Sequence, residues 1–259
     1  MDIKMVRTAL FALAALVAPT VVAADAAPQS SNEEIPMSKL TPAERRARRA
    51  AKLAAEGGAV ERPIKGRVVR IKLDTDRFQP SDIEDAASDM RRLLRVAVEV
   101  SGRSTTSTNA VGAFVLVAEK GLDSPMLLCA PEENWSTVNV TRLLEDEPDG
   151  ETAKNRLVKE VWRALAYALG AANAPKPPCL MRPIRRAKDL DSHDIKIISP
   201  QPLMSIAYTI GSLELAPYST TTYRKACQEG WAHSPTNDVQ RKIWDEVRSL
   251  PSAPLKLTK

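Results

Sequence analysis

The alternation of apolar and polar residues predicts regular structure from Gly66 onward. Val69, Ile71 and Leu73 alternate with polar residues, a pattern typical of a strand with one buried face. Ser81 and Glu84 have the spacing of a capping box that would begin a helix. That helix is indicated by apolar residues at helical spacing: Ile83, Ala86, Ala87, Met90, Leu93 and Leu94. Four further strands are predicted at 96–100, 113–118, 126–130 and 135–140.

A longer amphipathic helix is predicted from Asn155 to Leu169. With successive residues about 100° apart, one face is apolar and consists of Leu157, Val158, Val161, Trp162, Leu165, Ala168 and Leu169. A second face carries Arg156, Glu160, Arg163 and Tyr167. Gly170 would end the helix, because glycine readily adopts the left-handed conformation found just beyond a helix. The pattern therefore predicts a buried helix with a polar second face.

Two more helices are predicted in the last third of the chain. Residues 200–215 form one, and residues 235–250 form the other, with Thr236 as its cap. The apolar stripe of the last helix is Ile243, Trp244 and Val247. A basic loop precedes both helices and contains Pro183, Arg185, Arg186 and Lys188, followed by Asp189 and Asp191. A strand, a helix, several strands and a buried helix in this order predict an α/β (α+β) domain over residues 66–259.

The spacing from Arg163 onward resembles the active-site segment of the archaemetzincins, a family of metzincin zinc peptidases. Their motif reads H-E-x-x-H-x-x-G-x-x-H-C, then four residues, C-x-M, seventeen residues and C-x-x-C. Laid on this chain without gaps, it matches Gly170, Cys179 and the Met-turn methionine at Met181. The tail TYRKACQEGWAHSPTNDVQRKIWDEV also resembles that of secreted bacterial archaemetzincin-like proteins. The resemblance implies a metzincin-like mixed, twisted sheet with a central active-site-type helix, a Met-turn and C-terminal helices.

Nearly all of the metal chemistry of that motif is missing here. The three histidine positions fall on Arg163, Tyr167 and Asn173, and the catalytic glutamate falls on Ala164. The other cysteine positions fall on Ala174, Ser199 and Pro202. A catalytic zinc needs three protein ligands, and a guanidinium cannot be one because it stays protonated. We therefore expect no metal, no cofactor and no catalytic residue, and we interpret the chain as a pseudopeptidase and not as an enzyme.

The degenerate positions remain candidates for binding. We expect Glu160, Arg163, Tyr167 and Asn173 to form a polar network where the zinc would otherwise lie, since a buried arginine needs acidic or carbonyl partners. In a simpler alternative, Arg163 only pairs with Glu160 or an acidic loop, and Tyr167 covers a hydrophobic cluster.

The cysteines offer a second possible chemistry. There are three, Cys129, Cys179 and Cys227, so at least one is a free thiol or forms an intermolecular bond. Cys179 is predicted to be a small buried residue. Cys227 with His233 could form a nucleophile pair, which would make the chain a hydrolase with a non-standard site; neither this histidine nor His193 has zinc-ligand spacing.

The N-terminal sequence predicts export. Residues 1–25 have a basic start, an apolar centre and small residues near the end, as in a signal peptide, so the mature chain would be periplasmic or secreted without a stable membrane span. Residues 26–65 read as a polar linker with an alanine- and arginine-rich helix, which Thr41, Pro42 and Glu44 would begin and Gly57 would end. Residues 26–62 are expected to be dispensable for folding.

The charge distribution limits the class of partner. The chain has a net charge of +5, and most of it comes from the basic helix of the linker. The domain beyond has little net charge, so the basic pI does not indicate a nucleic-acid-binding surface on the domain itself. The leading hypothesis is an exported, inactive archaemetzincin-like protein that binds an extended peptide or an envelope protein in the former active-site cleft. The alternative is an active archaemetzincin-type peptidase or another hydrolase with a non-standard site.

Overall fold

The computed structural model describes residues 40–174, 179–193 and 198–250. The predicted signal peptide lies outside these residues. The chain divides into two units, residues 1–47 and residues 48–259. Across the described ranges, no helix is both long and apolar enough to span a bilayer.

The structure contains seven strands and seven helices in its described part. The strands are β1 Ala59–Glu61, β2 Val68–Asp74, β3 Val98–Ser101, β4 Val111–Ala118, β5 Leu127–Ala130, β6 Trp135–Asn139 and β7 Thr220–Thr222. The helices are α1 Pro42–Ala55, α2 Glu84–Leu94, α3 Val140–Leu143, α4 Gly150–Ala168, α5 Pro200–Ser212, α6 Tyr223–Gln228 and α7 Asp238–Ser249.

Five of the strands form one mixed sheet in the order β3-β2-β4-β6-β5. β2, β3, β4 and β6 run parallel, whereas β5 pairs antiparallel with β6 and lies at the edge. The apolar face of α4 packs on this sheet, and Ser136 Oγ on β6 donates to Ala164 O at 2.9 Å. The mixed α/β fold predicted from the sequence is confirmed, with α4 as the central helix.

α4 begins earlier than its apolar pattern indicates. Asp149 caps it by accepting from the N–H groups of Glu151 and Thr152 at 3.0 and 2.9 Å, so the helix begins at Gly150 and not at the predicted Asn155. Its end agrees with the prediction, since Gly170 follows with φ of +77°. A Cβ at Gly170 would also lie 2.9 Å from Thr209 Oγ1, so two constraints favour glycine there.

Two predicted helix caps are wrong. The capping box of Ser81 and Glu84 is replaced by Asp82, which accepts from the Gln79 N–H at 2.8 Å in a 3₁₀ turn that precedes α2. The last helix is capped by Asn237, which accepts from the Gln240 N–H at 3.0 Å. α2 itself follows Ile83, which makes no side-chain cap, whereas α7 is capped by the neighbour of the predicted residue; sequence spacing alone cannot separate such competitors.

The predicted linker contains a strand that belongs to the folded chain. β1 pairs antiparallel with β7, Val60 is buried, and Gln240 Nε2 donates to Gly57 O at 2.9 Å. The predicted start of the helix is present, because Thr41 N donates to Glu44 Oε2 at 2.7 Å, and none of the residues of α1 is buried. The carbonyl groups of Glu56 and Gly58 also accept from the folded chain, so dispensability of the linker stays a prediction only for the part that precedes Glu56.

Candidate functional site

The candidate site lies where the last turns of α4 meet the turn that contains Met181. Arg182 N donates to Cys179 O at 3.1 Å and so closes the turn. Ala174 N donates to Met181 O at 3.1 Å, which connects the turn to the chain that leaves α4. Met181 itself is fully buried. The turn is thus held beneath α4, with its carbonyl groups close to the polar face of the helix.

Arg163 is the centre of this site. The residue is only 4% exposed, and its Nη1 donates to Leu180 O at 2.7 Å and to Arg182 O at 2.5 Å. Its Nε lies 2.9 Å from Glu160 Oε2, one helical turn earlier. Arg163 therefore has the carbonyl and acidic partners that a buried guanidinium requires.

Glu160 is less well satisfied than its partner. The residue is completely buried, and its contact with Arg163 lacks the alignment of a hydrogen bond, so it is an ion pair only. Its Oε1 has no hydrogen-bond partner in the part of the chain that the structure describes. Burial raises the pKa of Glu160, and the nearby charge of Arg163 opposes that rise. The site therefore retains an unused hydrogen-bonding atom.

Tyr167 and Asn173 complete the polar cluster. The Tyr167 hydroxyl donates to Asn173 Oδ1, so the asparagine reaches the site from the segment beyond Gly170. The Arg163 guanidinium carbon lies 5.7 Å from the centre of the Tyr167 ring, within the range of a cation–π contact. Burial raises the pKa of Tyr167. All four predicted site residues are therefore close together, and their role in binding stays a prediction.

The residues at this position do not fit a zinc ion. Arg163 carries a permanent positive charge and directs its donors at backbone carbonyls. Tyr167 and Asn173 bond to each other, and neither is a usual zinc ligand. Throughout the described residues, no group of three or more histidine, cysteine or acidic side chains is arranged to hold a metal.

The cysteine positions of the motif are also changed. Cys179 is buried, and its Sγ accepts from the Ser199 N–H at 3.2 Å. Residues 179 and 199, which are two of the four cysteine positions of the motif, are therefore joined by a hydrogen bond and not by a shared metal ligand set. All three cysteines are free thiols, as their odd number allows.

Cys129 is a site residue that the sequence did not indicate. It lies on β5 and lines a cleft of about 470 Å³ together with Glu160, Arg163, Tyr167 and Asn173. Burial, with a further contribution from the charge of Glu160, raises the pKa of Cys129 to about 11. The alternation of residues 126–130 would place Cys129 on the same face as Leu127, but only the sheet order shows that this face borders α4.

The suggested Cys227–His233 pair is not formed. The His233 Nδ1 lies 2.7 Å from Ser234 O, and Tyr223 donates to His233 O at 2.8 Å. Burial raises the pKa of the Cys227 thiol, which is the opposite of what an activated nucleophile requires.

Comparison with known proteins gives matches among solved structures. No family model matches the sequence, and no curated protein does. An archaemetzincin from Methanopyrus kandleri is 14% identical, with 56% of this chain and 96% of that chain covered at a TM-score of 0.45. A zinc-dependent peptidase from Methanocorpusculum labreanum is 14% identical, with coverage of 53% and 99% and a TM-score of 0.42.

A third match is the archaemetzincin from Archaeoglobus fulgidus complexed with malonate. It is 15% identical, with coverage of 53% and 98% and a TM-score of 0.41. Among the solved structures that this chain resembles are thus two archaemetzincins and one zinc-dependent peptidase.

Proposed function

We propose that this chain is an exported, catalytically inactive archaemetzincin-like protein that binds an extended peptide along β5. The observation that carries the proposal is the open edge of β5, which lies beside a cleft whose residues lack the chemistry for hydrolysis. An open strand edge next to a cleft is suited to binding by strand addition, in which backbone hydrogen bonds hold the ligand.

The register of β5 identifies the backbone groups that would pair. Met126 O accepts from the Asn139 N–H at 2.8 Å, which makes these residues a hydrogen-bonded pair. Because such pairs alternate along antiparallel strands, the Leu128–Thr137 pair is bonded too. The N–H and C=O groups of Leu127 and Cys129 therefore point away from β6. Among the residues that the structure describes, no strand pairs with them there.

The cleft would accept the side chains of such a peptide. Leu127, Cys129 and Ile184 give it apolar surface, whereas Arg142 and Arg185 lie at its margin. A strand bound to β5 would present alternate side chains to this space. The free Oε1 of Glu160 could accept a hydrogen bond from one of them.

The side chains at the motif positions are the reason for proposing that the chain does not hydrolyse peptides. Ala164 cannot act as a general base, and Arg163 cannot bind a metal. Cys129 is the nucleophile best placed for the alternative, a hydrolase with a non-standard site. Its raised pKa of about 11 keeps the thiol protonated near neutral pH, and none of the described residues that line this cleft is a histidine that could activate it.

The proposal is tested by selecting peptides that bind the purified mature chain from an octapeptide library and scanning one of them by N-methylation. Strand addition predicts that methylation at every second position abolishes binding, because only alternate N–H groups face β5. A pattern without period two would contradict strand addition.

A matched pair of variants tests the location. Cys129→Trp would fill the cleft and should weaken peptide binding at least about tenfold, whereas Leu128→Trp on the other face of β5 should leave it within about twofold. Equal effects of the two variants would contradict the site. If the wild-type chain instead cleaves the peptide and Cys129→Ala does not, the hydrolase alternative is established.

A further inference from the structure

A second pocket, separate in chemistry from the cleft, lies in the basic loop that follows the Met181 turn. It has a volume of about 540 Å³ and is lined by Arg182, Arg185, Arg186, Asp189, Ser192 and His193. The three arginines are exposed, so their charges reach the pocket without a large desolvation cost. Among the described residues, the guanidinium groups of Arg182 and Arg185 have no ion-pair partner.

Among the described residues that line the pocket, Asp189 is the one acidic residue, and the loop itself already uses its carboxylate. Asp189 Oδ2 accepts from the N–H groups of Arg185 and Arg186 at 3.2 and 3.0 Å. The Arg186 guanidinium lies 4.0 Å from the same carboxylate. These backbone hydrogen bonds fix the loop in the conformation that collects the arginines around one space. The net charge of the pocket therefore stays positive.

His193 provides a second, independent feature. The residue is 8% exposed, and its Nδ1 lies 2.7 Å from Asp189 O. Since a carbonyl oxygen can only accept, Nδ1 must carry the hydrogen. In the neutral ring Nε2 is then an acceptor, and this buried atom has no partner within the described part of the chain. An unpartnered acceptor on a residue that lines a pocket with several arginines is suited to a ligand that is an anion and also has an O–H group.

We propose that this pocket binds inorganic phosphate as hydrogen phosphate, with Arg182, Arg185 and Arg186 on its charged oxygens and His193 Nε2 on its P–O–H group. Arginine is well suited to phosphate because its planar donors match the spacing of phosphate oxygens. Arg185 borders both this pocket and the cleft, but phosphate can be titrated without any peptide, so either proposal can fail without the other.

Sulfate provides a sharp test of the role of His193. It has the shape and charge of hydrogen phosphate but carries no proton at about pH 8, where histidine side chains are generally neutral. Calorimetric titration of the purified chain should show phosphate binding at least about tenfold more tightly than sulfate, because only phosphate can donate to Nε2. Glycerol phosphate, titrated in parallel, has no P–O–H proton at this pH because the second pKa of a phosphomonoester is about 6, so it should bind as weakly as sulfate.

Two histidine variants separate the ring nitrogens. In His193→Asn the side-chain amide can replace Nδ1 as the donor to Asp189 O but supplies nothing at the Nε2 position, so the preference for phosphate over sulfate should be lost. In His193→Gln the amide oxygen can take the Nε2 position, so part of that preference should return. Circular dichroism and melting temperature identify any variant that does not fold.

The arginines are tested without disturbing the histidine. Arg182→Gln should weaken phosphate binding about tenfold, whereas Arg241→Gln on the exposed face of α7 should leave it unchanged. Equal affinity for phosphate and sulfate in the wild-type chain, or no binding below about 10 mM, would overturn the proposal. Phosphate binding that is insensitive to both Arg182→Gln and His193→Asn would overturn it as well.

Discussion

Arg156 and Arg163 lie two helical turns apart on the same face of α4, and both are buried, at 3% and 4% exposure. Arg156 is held by two aspartates: its Nε and Nη2 each donate to Asp191 at 2.8 Å, and its Nη1 and Nη2 donate to Asp146 at 2.5 and 3.0 Å. Arg163 has one ion pair with Glu160 and two backbone carbonyls instead.

The two sites differ in the exposure of the acidic partner. The side chains of Asp146 and Asp191 are 42% and 41% exposed, whereas that of Glu160 is 0% exposed. Hydrogen bonds from Arg156 hold the pKa of both aspartates below the usual range. The pKa of Glu160 shifts upward because burial outweighs Arg163. Arg156 therefore forms a completed cross-link between loops, and Arg163 lies in a site with unused hydrogen-bonding capacity.

The largest effect is expected at the less satisfied site. Arg163→Ala should lower the free energy of unfolding by about 2 to 4 kcal/mol, because it leaves a fully buried carboxyl group and two carbonyls without a partner. Denaturant unfolding measures the change, with Arg241→Ala as an exposed control within about 0.5 kcal/mol. A near-zero change for Arg163→Ala would contradict the polar network.

Arg156→Ala should cost less, about 1 to 3 kcal/mol, although Arg156 makes more hydrogen bonds. Its aspartate partners are already close to water and can be hydrated again, so the desolvation that makes broken buried ion pairs costly is small. The same denaturant experiment ranks the two variants. If Arg156→Ala costs clearly more than Arg163→Ala, the number of hydrogen bonds matters here more than the exposure of the partner.

The pH dependence of stability should have opposite signs at the two sites. The lowered pKa values of Asp146 and Asp191 contribute stability that is present above about pH 3.9 and is lost as the pH falls through the folded-state values. For Glu160 the folded-state pKa is raised, so its favourable contribution is present below about pH 4.3 and is lost as the pH rises through the folded-state value.

Unfolding between about pH 3 and 8 checks these signs in Arg156→Ala and Glu160→Gln. The stability advantage of the wild-type chain over Arg156→Ala should shrink in acid. Relative to Glu160→Gln, the wild-type chain should instead lose stability as the pH rises. If both stability differences between the wild-type chain and its variants change in the same direction with pH, then burial does not determine the pKa of Glu160.

The smallest effect is expected from a metal chelator. Because Arg163 and not an imidazole occupies the first ligand position, the purified chain should carry no stoichiometric zinc, and a chelator should leave its melting temperature unchanged. Elemental analysis that finds about one zinc per chain would require other ligands.

Helical periodicity accounts for what the sequence could predict of the site. It placed Glu160, Arg163 and Tyr167 on one face, because residues three and four apart on a helix are neighbours. It could not supply Cys129, whose position depends on β5 being added antiparallel at the sheet edge. Periodicity also could not predict the partners of Arg156, because Asp146 precedes α4 in the sequence and Asp191 follows it. Such contacts depend on tertiary structure, which local patterns do not contain.

The pairing of β1 with β7 has a mechanical consequence. Ala59 is paired with Thr222, so the chain that enters β1 and the chain that leaves β7 for α6 meet at the same end of a three-residue ladder. A pulling force between them would open the ladder one pair at a time, since the strands would separate like a zipper and not slide. A force between these two segments would therefore separate β1 from β7 without loading the five-stranded sheet.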